Sequence, residues 1–253
     1  MMRDVLNFQK EPIESGLRLV TEKSDAPDLV AVKKQFVNFM FLRVSSDWRK
    51  LNTQAKEACK REFQRVFDTF RQDFLLYSYS LVGFDSKADL MFWRVGNSLD
   101  LVQDMTAELY RTEFGSYIET TDNYLSVTKR MMFVDGPHED RLRVRAGTTK
   151  YHFVYPCAKH KDWYKMPADE RDALIEENFM VGKKFPNIKI HLTHALGFTD
   201  HEYLLSFETD EPKDFLALAD ELRNTPASNF ILRGMPVYTC RQRSLKECLD
   251  ALG

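Results

Sequence analysis

The sequence contains an internal repeat, and the repeat limits the possible folds more than any other feature. The pair Asp-Trp at 47–48 occurs again at 162–163, an offset of 115 residues. Further along, the segment LVGFDSKADLMFW (81–93) resembles ALGFTDHEYLLSF (195–207) at an offset of 114. A nearly constant offset over so many residues indicates two copies of one structural unit in tandem.

Both copies show the same order of predicted elements. Alternating aromatic residues predict a first strand, at Phe39 and Phe41 in one copy and at 151–155 in the other. A helix follows, then two strands flanking a Gly-Phe turn, and then a second helix with good start signals. This order predicts an α+β fold, a tandem duplication of ferredoxin-like units of the dimeric α/β-barrel type, in which two sheets pack together.

The repeat also divides the chain. Residues 1–30 are predicted to be an N-terminal arm, and 31–130 the first ferredoxin-like unit. Residues 131–147 are predicted to be a linker because they contain Gly-Pro and many charges. The second unit, 148–253, carries the candidate pocket.

Composition excludes several functional classes. The 36 Lys and Arg nearly balance the 38 Asp and Glu, so we predict no affinity for nucleic acid or anionic membranes. The sequence lacks a long apolar run and, at its start, a secretory signal pattern. Its four cysteines form no CxxC pair, which predicts reduced thiols and a cytoplasmic location.

Motif searches find no established catalytic or metal-binding pattern. The glycine-rich nucleotide motifs, the P-loop and the hydrolase Gly-x-Ser-x-Gly are absent from the sequence. The histidines do not have the spacing of zinc ligands, so no metal site is predicted. A non-haem metal site using His191, His194 or His201 remains an alternative hypothesis.

One polar residue stands at a position predicted to be buried. Leu174, Asn178 and Val181 follow one another at helical spacing on the face turned toward the sheet. A buried amide without a partner is costly, so Asn178 needs one. Either a backbone group satisfies it, or it faces a ligand cavity.

A second cluster of the second copy combines an anion clamp with aromatic residues. Arg223, at the end of a predicted helix, and Ser228 together offer the donors that a carboxylate requires. Tyr155 and Lys159 leave a predicted strand end together, and Trp163 follows them. The alternative interpretation is a surface ion pair beside a packed aromatic residue.

Four segments of the second half resemble a known family. They are, in order, YPCAKHKDWYKM, RDALIEENFMVGKKF, LGFTDHEYLLSFETDEPKDF and LRNTPAS. With the two-unit layout, they resemble the chlorite dismutase family over nearly the whole chain, nearest its coproheme decarboxylase branch, which belongs to haem synthesis. The resemblance implies haem or coproheme in the second unit and a homo-oligomer, usually a homopentamer.

The resemblance also implies roles for individual residues. Tyr155 falls on the tyrosine that becomes the radical in the decarboxylase branch, and Lys159 on its neighbouring active-site lysine. Arg223 and Ser228 fall on residues that hold porphyrin propionates, and Arg141 on another propionate arginine.

The sequence departs from the family at the iron. The family's proximal histidine stands in a Glu-His pair, and here that pair is Glu177-Asn178. An amide oxygen is a poorer ligand for haem iron than an imidazole. The distal position falls on Ile190, or on His191 if the gap moves by one residue.

Two functions therefore remain open, and with them whether the protein is an enzyme. The first is a haem- or coproheme-binding oxidoreductase in which Tyr155, Lys159, Trp163 and the propionate residues surround an atypical iron site. The second is a haem-free structural or interaction protein, or a binder of another small anionic ligand. In that case Ile190, Phe179 and Met180 are expected to fill the vacated pocket.

Overall fold

A computed structural model describes residues 34–129, 133–134, 144–195, 197–232 and 236–253. The predicted arm, most of the predicted linker and Arg141 lie outside these residues. Within the described part, the strands are β1 (Phe36–Val44), β2 (Leu75–Ser80), β3 (Leu90–Gly96), β4 (Ile118–Val127), β5 (Phe133–Val134), β6 (Val144–Arg145), β7 (Tyr151–Cys157), β8 (Lys189–His194), β9 (Tyr203–Thr209) and β10 (Tyr238–Gln242). The α-helices there are α1 (Thr53–Thr69), α2 (Leu99–Arg111), α3 (Lys161–Lys165), α4 (Ala168–Lys183), α5 (Pro212–Arg223) and α6 (Leu245–Asp250).

Eight of these strands close into one barrel in the order β1-β3-β2-β10-β7-β9-β8-β4. We call β1 to β4 with their helices the first repeat, and β7 to β10 with theirs the second repeat. Each repeat contributes four neighbouring antiparallel strands, in the order β4-β1-β3-β2 or β10-β7-β9-β8. This arrangement confirms the predicted duplication of ferredoxin-like units and the barrel type.

The repeats join edge to edge at two seams. At one seam β10 pairs with β2, through Arg241 with Ser80 and Gln242 with Tyr79. At the other, β4 pairs with β8 at a single register position, Val127 with His194. The prediction that two separate sheets pack together is therefore wrong: the sheets form one closed barrel, because each free strand edge finds hydrogen-bond partners in the other repeat.

In the first repeat, α1 packs tightly on the outer face of the barrel. Asn52 caps its N-terminus by accepting a hydrogen bond from the Ala55 backbone N–H. Cys59, Phe63 and Phe67 lie buried on one side of the helix, at the helical spacing that the sequence indicates. Phe63 and Phe67 are fully buried.

In the second repeat, α4 is packed much less closely. Of its 16 residues, all of them described, only Val181 is buried. Ile175, Phe179 and Met180 are each more than half exposed. The expectation that Phe179 and Met180 fill a pocket is wrong, because the turn of the helix directs both side chains to solvent.

The barrel interior is densely aromatic. Phe39 stacks on Trp93, and Phe41 stacks on Tyr238 with ring centroids 3.8 Å apart. The Tyr238 hydroxyl also lies 3.0 Å from the Tyr124 hydroxyl, so these two phenols satisfy each other. Such interiors stabilise a fold through buried aromatic area and ring geometry.

Three further observations concern the chain as a whole. Residues 33–253 belong to one compact unit, so the predicted boundaries at 130 and 148 stay a prediction drawn from the repeat. The four cysteines are free and buried. Among the helices described, none combines the length and the apolar character needed to cross a membrane.

Candidate functional site

A cavity of 590 Å³ lies between the outer face of the barrel and α5. Its walls are β7, β9, α5 and the 3₁₀ turn Pro226–Phe230 with the residues after it. Most of its lining is apolar. The polar groups are contributed by Tyr155, Cys157, Arg223, Ser228 and Asn229.

Local structure explains why these side chains meet. Tyr155 and Cys157 alternate along β7, so both point outward from the barrel. On α5, Phe215, Ala219 and Leu222 share the face that is turned to the cavity, and Arg223 ends that face. The structure thus brings Tyr155, Arg223 and Ser228 to one cavity from distant points of the sequence.

Ser228 has a role in the structure that the sequence does not reveal. Its hydroxyl donates to the Arg223 backbone carbonyl at 2.7 Å. The hydroxyl proton expected to be offered to a ligand is therefore already used, and it holds the turn against the helix end. Only the oxygen lone pairs face outward unless that hydrogen bond breaks.

Tyr155 is half-buried among aromatic rings. Its ring centroid lies 5.7 Å from that of Phe207 and 5.9 Å from that of Phe215. Burial raises the pKa of Tyr155, while the positive charge of Arg223 acts in the opposite direction. The phenol therefore keeps its proton at neutral pH.

Lys159 and Trp163 lie behind the turn that carries Ser228. The Lys159 ammonium is 4.2 Å from the Trp163 ring centroid and 3.4 Å from the Ala227 carbonyl oxygen, to which it donates. Its backbone N–H donates to Glu202 Oε2 at 2.9 Å. Burial lowers the pKa of Lys159, with the nearby Cys157 and Glu202 acting in the opposite direction. Lys159 therefore helps to hold the turn that carries Ser228 in place.

The sequence offers two interpretations of Asn178, a hydrogen bond to the backbone or a position facing a ligand cavity, and the structure bears on the first. Its side chain is half-buried, and its amide oxygen is fully buried without a hydrogen-bond partner in the described residues. A backbone partner is therefore not what holds this oxygen. An unsatisfied buried oxygen of this kind costs about 1–3 kcal/mol, which makes the space around α4 a candidate for a ligand.

The two candidates for the distal position point in opposite directions. Ile190 lies outside the barrel, where a Cβ added to Gly182 of α4 would meet its Cδ1 at 2.9 Å. His191 lies inside the barrel and is 1% exposed. Only Ile190 is therefore on the same side of the sheet as the cavity. Within the described residues, three or more metal-ligating side chains do not converge on any point that could hold an ion.

Sequence reasoning missed Cys157 as a cavity residue. Burial raises the pKa of its thiol to about 11, against the opposing effect of Lys159, so it stays protonated at neutral pH. The alternation from Tyr155 along β7 could have indicated its direction. Phe215 was also missed, and it stacks on Phe153 at 3.8 Å between centroids.

Comparison with known proteins identifies the family. The family model described as chlorite dismutase matches residues 56–243, which is most of the chain. This chain belongs to the chlorite dismutase family. A curated relative, the chlorite dismutase of Ideonella dechloratans, is 23% identical over 83% of this chain and 76% of its own length. The coproheme decarboxylase of Mycolicibacterium smegmatis is 22% identical over 69% of this chain and 75% of its own length.

Solved structures of the family have the same fold. The chlorite dismutase of Candidatus Nitrospira defluvii in complex with imidazole has a TM-score of 0.77 and 23% identity, over 88% of this chain and 96% of its own. A mutant of that dismutase in complex with cyanide gives a TM-score of 0.76 and 20% identity, over 88% and 95%. At this identity the similarity establishes the chlorite dismutase fold for this chain.

Proposed function

We propose that this protein binds a carboxylate-bearing porphyrin, haem or coproheme, in the cavity between β7, β9 and α5. The observation that carries the proposal is the convergence of Tyr155, Arg223 and Ser228 on one cavity of 590 Å³. Apolar clefts of this size with a few polar groups are typical of sites for small organic ligands.

Arg223 is the group that would hold a porphyrin carboxylate. It lies exposed at the end of α5, and its guanidinium has no acidic partner among the described residues. The last residue of α2 in the first repeat, Arg111, pairs with Glu108 instead. A free guanidinium can bind a carboxylate with two parallel hydrogen bonds. Ser228 supports this group by fixing the helix end.

The lining fits the porphyrin ring better than it fits a family-type iron site. Phe207, Phe215 and Leu222 offer apolar walls for the ring. The described lining includes no imidazole, and its Cys157 thiol is protonated. Haem, when bound, would supply redox chemistry, and Tyr155 would hold a phenol proton beside it. Asn178 stands at the sequence position of the family's iron ligand, on α4 beside the described lining rather than in it.

A haem-free function is the second candidate, and the same lining favours it. Neither imidazole nor thiolate faces the described cavity, so a small organic anion held by Arg223 would suit the site as well. In this case neither coproporphyrin nor coproheme is a ligand.

The test compares the metal-free and iron forms of one ligand. Coproporphyrin and coproheme are titrated into the purified protein and followed by absorbance and by quenching of Trp163 fluorescence. We expect both to bind with similar affinity, because no strong protein ligand reaches the iron. Asn178→His should strengthen coproheme binding at least about tenfold, or ~1.4 kcal/mol, and leave coproporphyrin unchanged.

Arg223→Ala tests the clamp. Because hydrogen bonds to charged groups contribute about 1.5–3 kcal/mol, this variant should weaken both ligands by roughly 10- to 100-fold. Arg111→Ala, at the corresponding helix end of the first repeat, is the control and should bind as the wild type does. The proposal is wrong if neither porphyrin binds, and a small-anion screen then tests the second candidate.

The assembly and location are further proposals. We propose a homopentamer in the cytoplasm, supported by the family resemblance and by four buried free thiols, which suit a reducing compartment. Sedimentation or light scattering of the purified protein measures its oligomeric state. A monomer in solution would contradict it.

A further inference from the structure

The barrel interior holds a second polar cluster, on the opposite side of the sheet from the cavity. His152 and Trp93 have no exposed surface, and Tyr79 and His191 are each 1% exposed. The His152 ring centroid lies 4.5 Å from that of Trp93, 5.3 Å from that of Tyr79 and 6.4 Å from that of His191. We call these four residues the interior cluster.

The polar atoms of the interior cluster are unsatisfied. Both ring nitrogens of His152, Nδ1 of His191, the Tyr79 hydroxyl and the Trp93 Nε1 are buried without a hydrogen-bond partner in the part of the chain that the structure describes. Native proteins pair nearly all such groups, either with protein atoms or with ordered water. Five unpaired atoms at one place therefore indicate a bound species.

Glu208 determines which groups His191 can offer. Glu208 Oε1 lies 2.8 Å from His191 Nε2, and Oε2 accepts a hydrogen bond from the Gly147 backbone N–H at 2.8 Å. Burial alone would raise the pKa of Glu208, but the hydrogen bond from His191 and nearby positive charge hold it below its usual value. Beside an ionised Glu208, the neutral form of His191 donates from Nε2, so its Nδ1 presents a lone pair to the cluster.

Counting donors and acceptors selects the chemistry of the occupant. Trp93 can only donate, the Tyr79 hydroxyl can do both, and a neutral His152 donates from one nitrogen and accepts at the other. With His191 Nδ1 as an acceptor, the cluster offers three donors and three acceptors. A cation would meet the indole N–H, and an anion would meet the lone pairs and the Glu208 charge. The occupant must therefore be neutral and able both to donate and to accept.

We propose that the interior cluster is a binding site for ordered water, with at least one molecule bridging His152 and His191. Trp93 and Tyr79 complete the hydrogen bonds of this water. Buried waters of this kind make about three hydrogen bonds to groups that are otherwise unsatisfied. The site lies on the other side of the sheet from Arg223, so the inference does not depend on porphyrin binding.

A high-resolution crystal structure of the full chain, with metal analysis of the same sample, tests the proposal. We expect an ordered water within hydrogen-bond distance of His152 and His191, and no stoichiometric metal. The Tyr124–Tyr238 pair, which is satisfied internally, is the control and should show no bridging water. A direct His152–His191 or His152–Trp93 hydrogen bond without water, or a metal ion between the rings, would overturn the proposal.

Histidine ¹⁵N spectra give a second measurement. In the wild type, His191 Nδ1 should show the shift of a hydrogen-bonded acceptor. His152→Phe should move this signal toward that of a free acceptor, and Tyr79→Phe should move it less. If His152→Phe does not fold, Tyr79→Phe alone decides. An identical His191 signal in the wild type and in the variants that fold would contradict the bridge.

Discussion

The two repeats share one topology and use the space between helix and sheet differently. In the first repeat this space is filled by a large cluster that includes Trp48, Phe63, Phe67 and Phe92. In the second repeat the corresponding cluster is smaller, and a cavity of 590 Å³ lies beside it. The same fold thus provides one half that is packed for stability and one half that has room for a ligand.

The difference can be located at individual positions of the first helix. With the offset of 115 residues, Asn178 of α4 stands where α1 has Phe63, and Gly182 stands where α1 has Phe67. Two buried aromatic side chains are thereby absent from α4. Ile190 of β8 contributes part of the missing volume, because it approaches Gly182 from the sheet. These exchanges explain the looser packing of α4, whereas the cavity itself is lined by β7, β9, α5 and the turn after it.

The largest effect is expected at Phe63. Phe63→Ala should destabilise the protein by about 3–5 kcal/mol, because it removes a fully buried ring and leaves a cavity. The matched change Asn178→Ala should cost less than about 1 kcal/mol, because its buried amide oxygen has no partner in the described residues. Urea unfolding of both variants measures the difference. Equal losses would mean that both repeats are packed alike.

Acid sensitivity should come from the second repeat. Burial lowers the pKa of His152 from 6.5 to about 3, so between these values the native state binds fewer protons than the unfolded chain. Stability is therefore lost as the pH falls through this window, by about 2 kcal/mol at pH 5. His152→Phe should remove most of this loss in urea titrations at several pH values.

The packing variant Phe63→Ala provides the control for that experiment, because it removes no titratable group. It should lower the stability at every pH and keep the pH dependence of the wild type. If His152→Phe also keeps it, another group causes the acid loss, and the contrast between the repeats does not extend to the barrel interior.

Asn178→Leu makes α4 more like α1 and should have a smaller effect. Removing the unsatisfied amide oxygen and adding apolar contact should stabilise the ligand-free protein by about 1–2 kcal/mol. Thermal unfolding measures this gain, and a porphyrin titration of the same variant should show weaker binding. A variant with lower stability would indicate that Asn178 has a partner that the described residues do not show.

The helix caps should give the smallest difference. Asn52 caps α1 with its side chain, whereas Pro167 precedes α4 without a side-chain cap. Asn52→Ala should cost about 1 kcal/mol, and Pro167→Ser should add a few tenths of a kcal/mol or more if its hydroxyl caps the helix. Thermal unfolding of each variant measures whether its stability falls or rises relative to the wild type. A gain from Asn52→Ala, or a loss from Pro167→Ser, would contradict the capping contrast.

The repeat in the sequence predicts the fold well because it shows the same element order twice. It does not predict the seams, where β10 pairs with β2 and β4 with β8, since those pairings depend on edge geometry rather than on local pattern. At the site, chemical reasoning selects residues that do meet, such as Tyr155 and Arg223. It could not foresee that the Ser228 proton is already used, because this hydrogen bond forms only when the turn folds back on α5.

The seams also have a consequence for how the chain is made. Residues emerge from the ribosome in order, so β2 waits for residues 238–242, more than 150 residues further along the chain, before its outer edge is paired. Until residues 151–194 have also emerged, the aromatic inner surface of β1 and β3 lacks its opposite wall, because Trp93 packs against His152 of β7 and His191 of β8. Such surfaces and unpaired edges promote aggregation of incomplete chains. Truncation shortly before β10 should therefore yield insoluble protein, even though the truncated chain retains the whole first repeat.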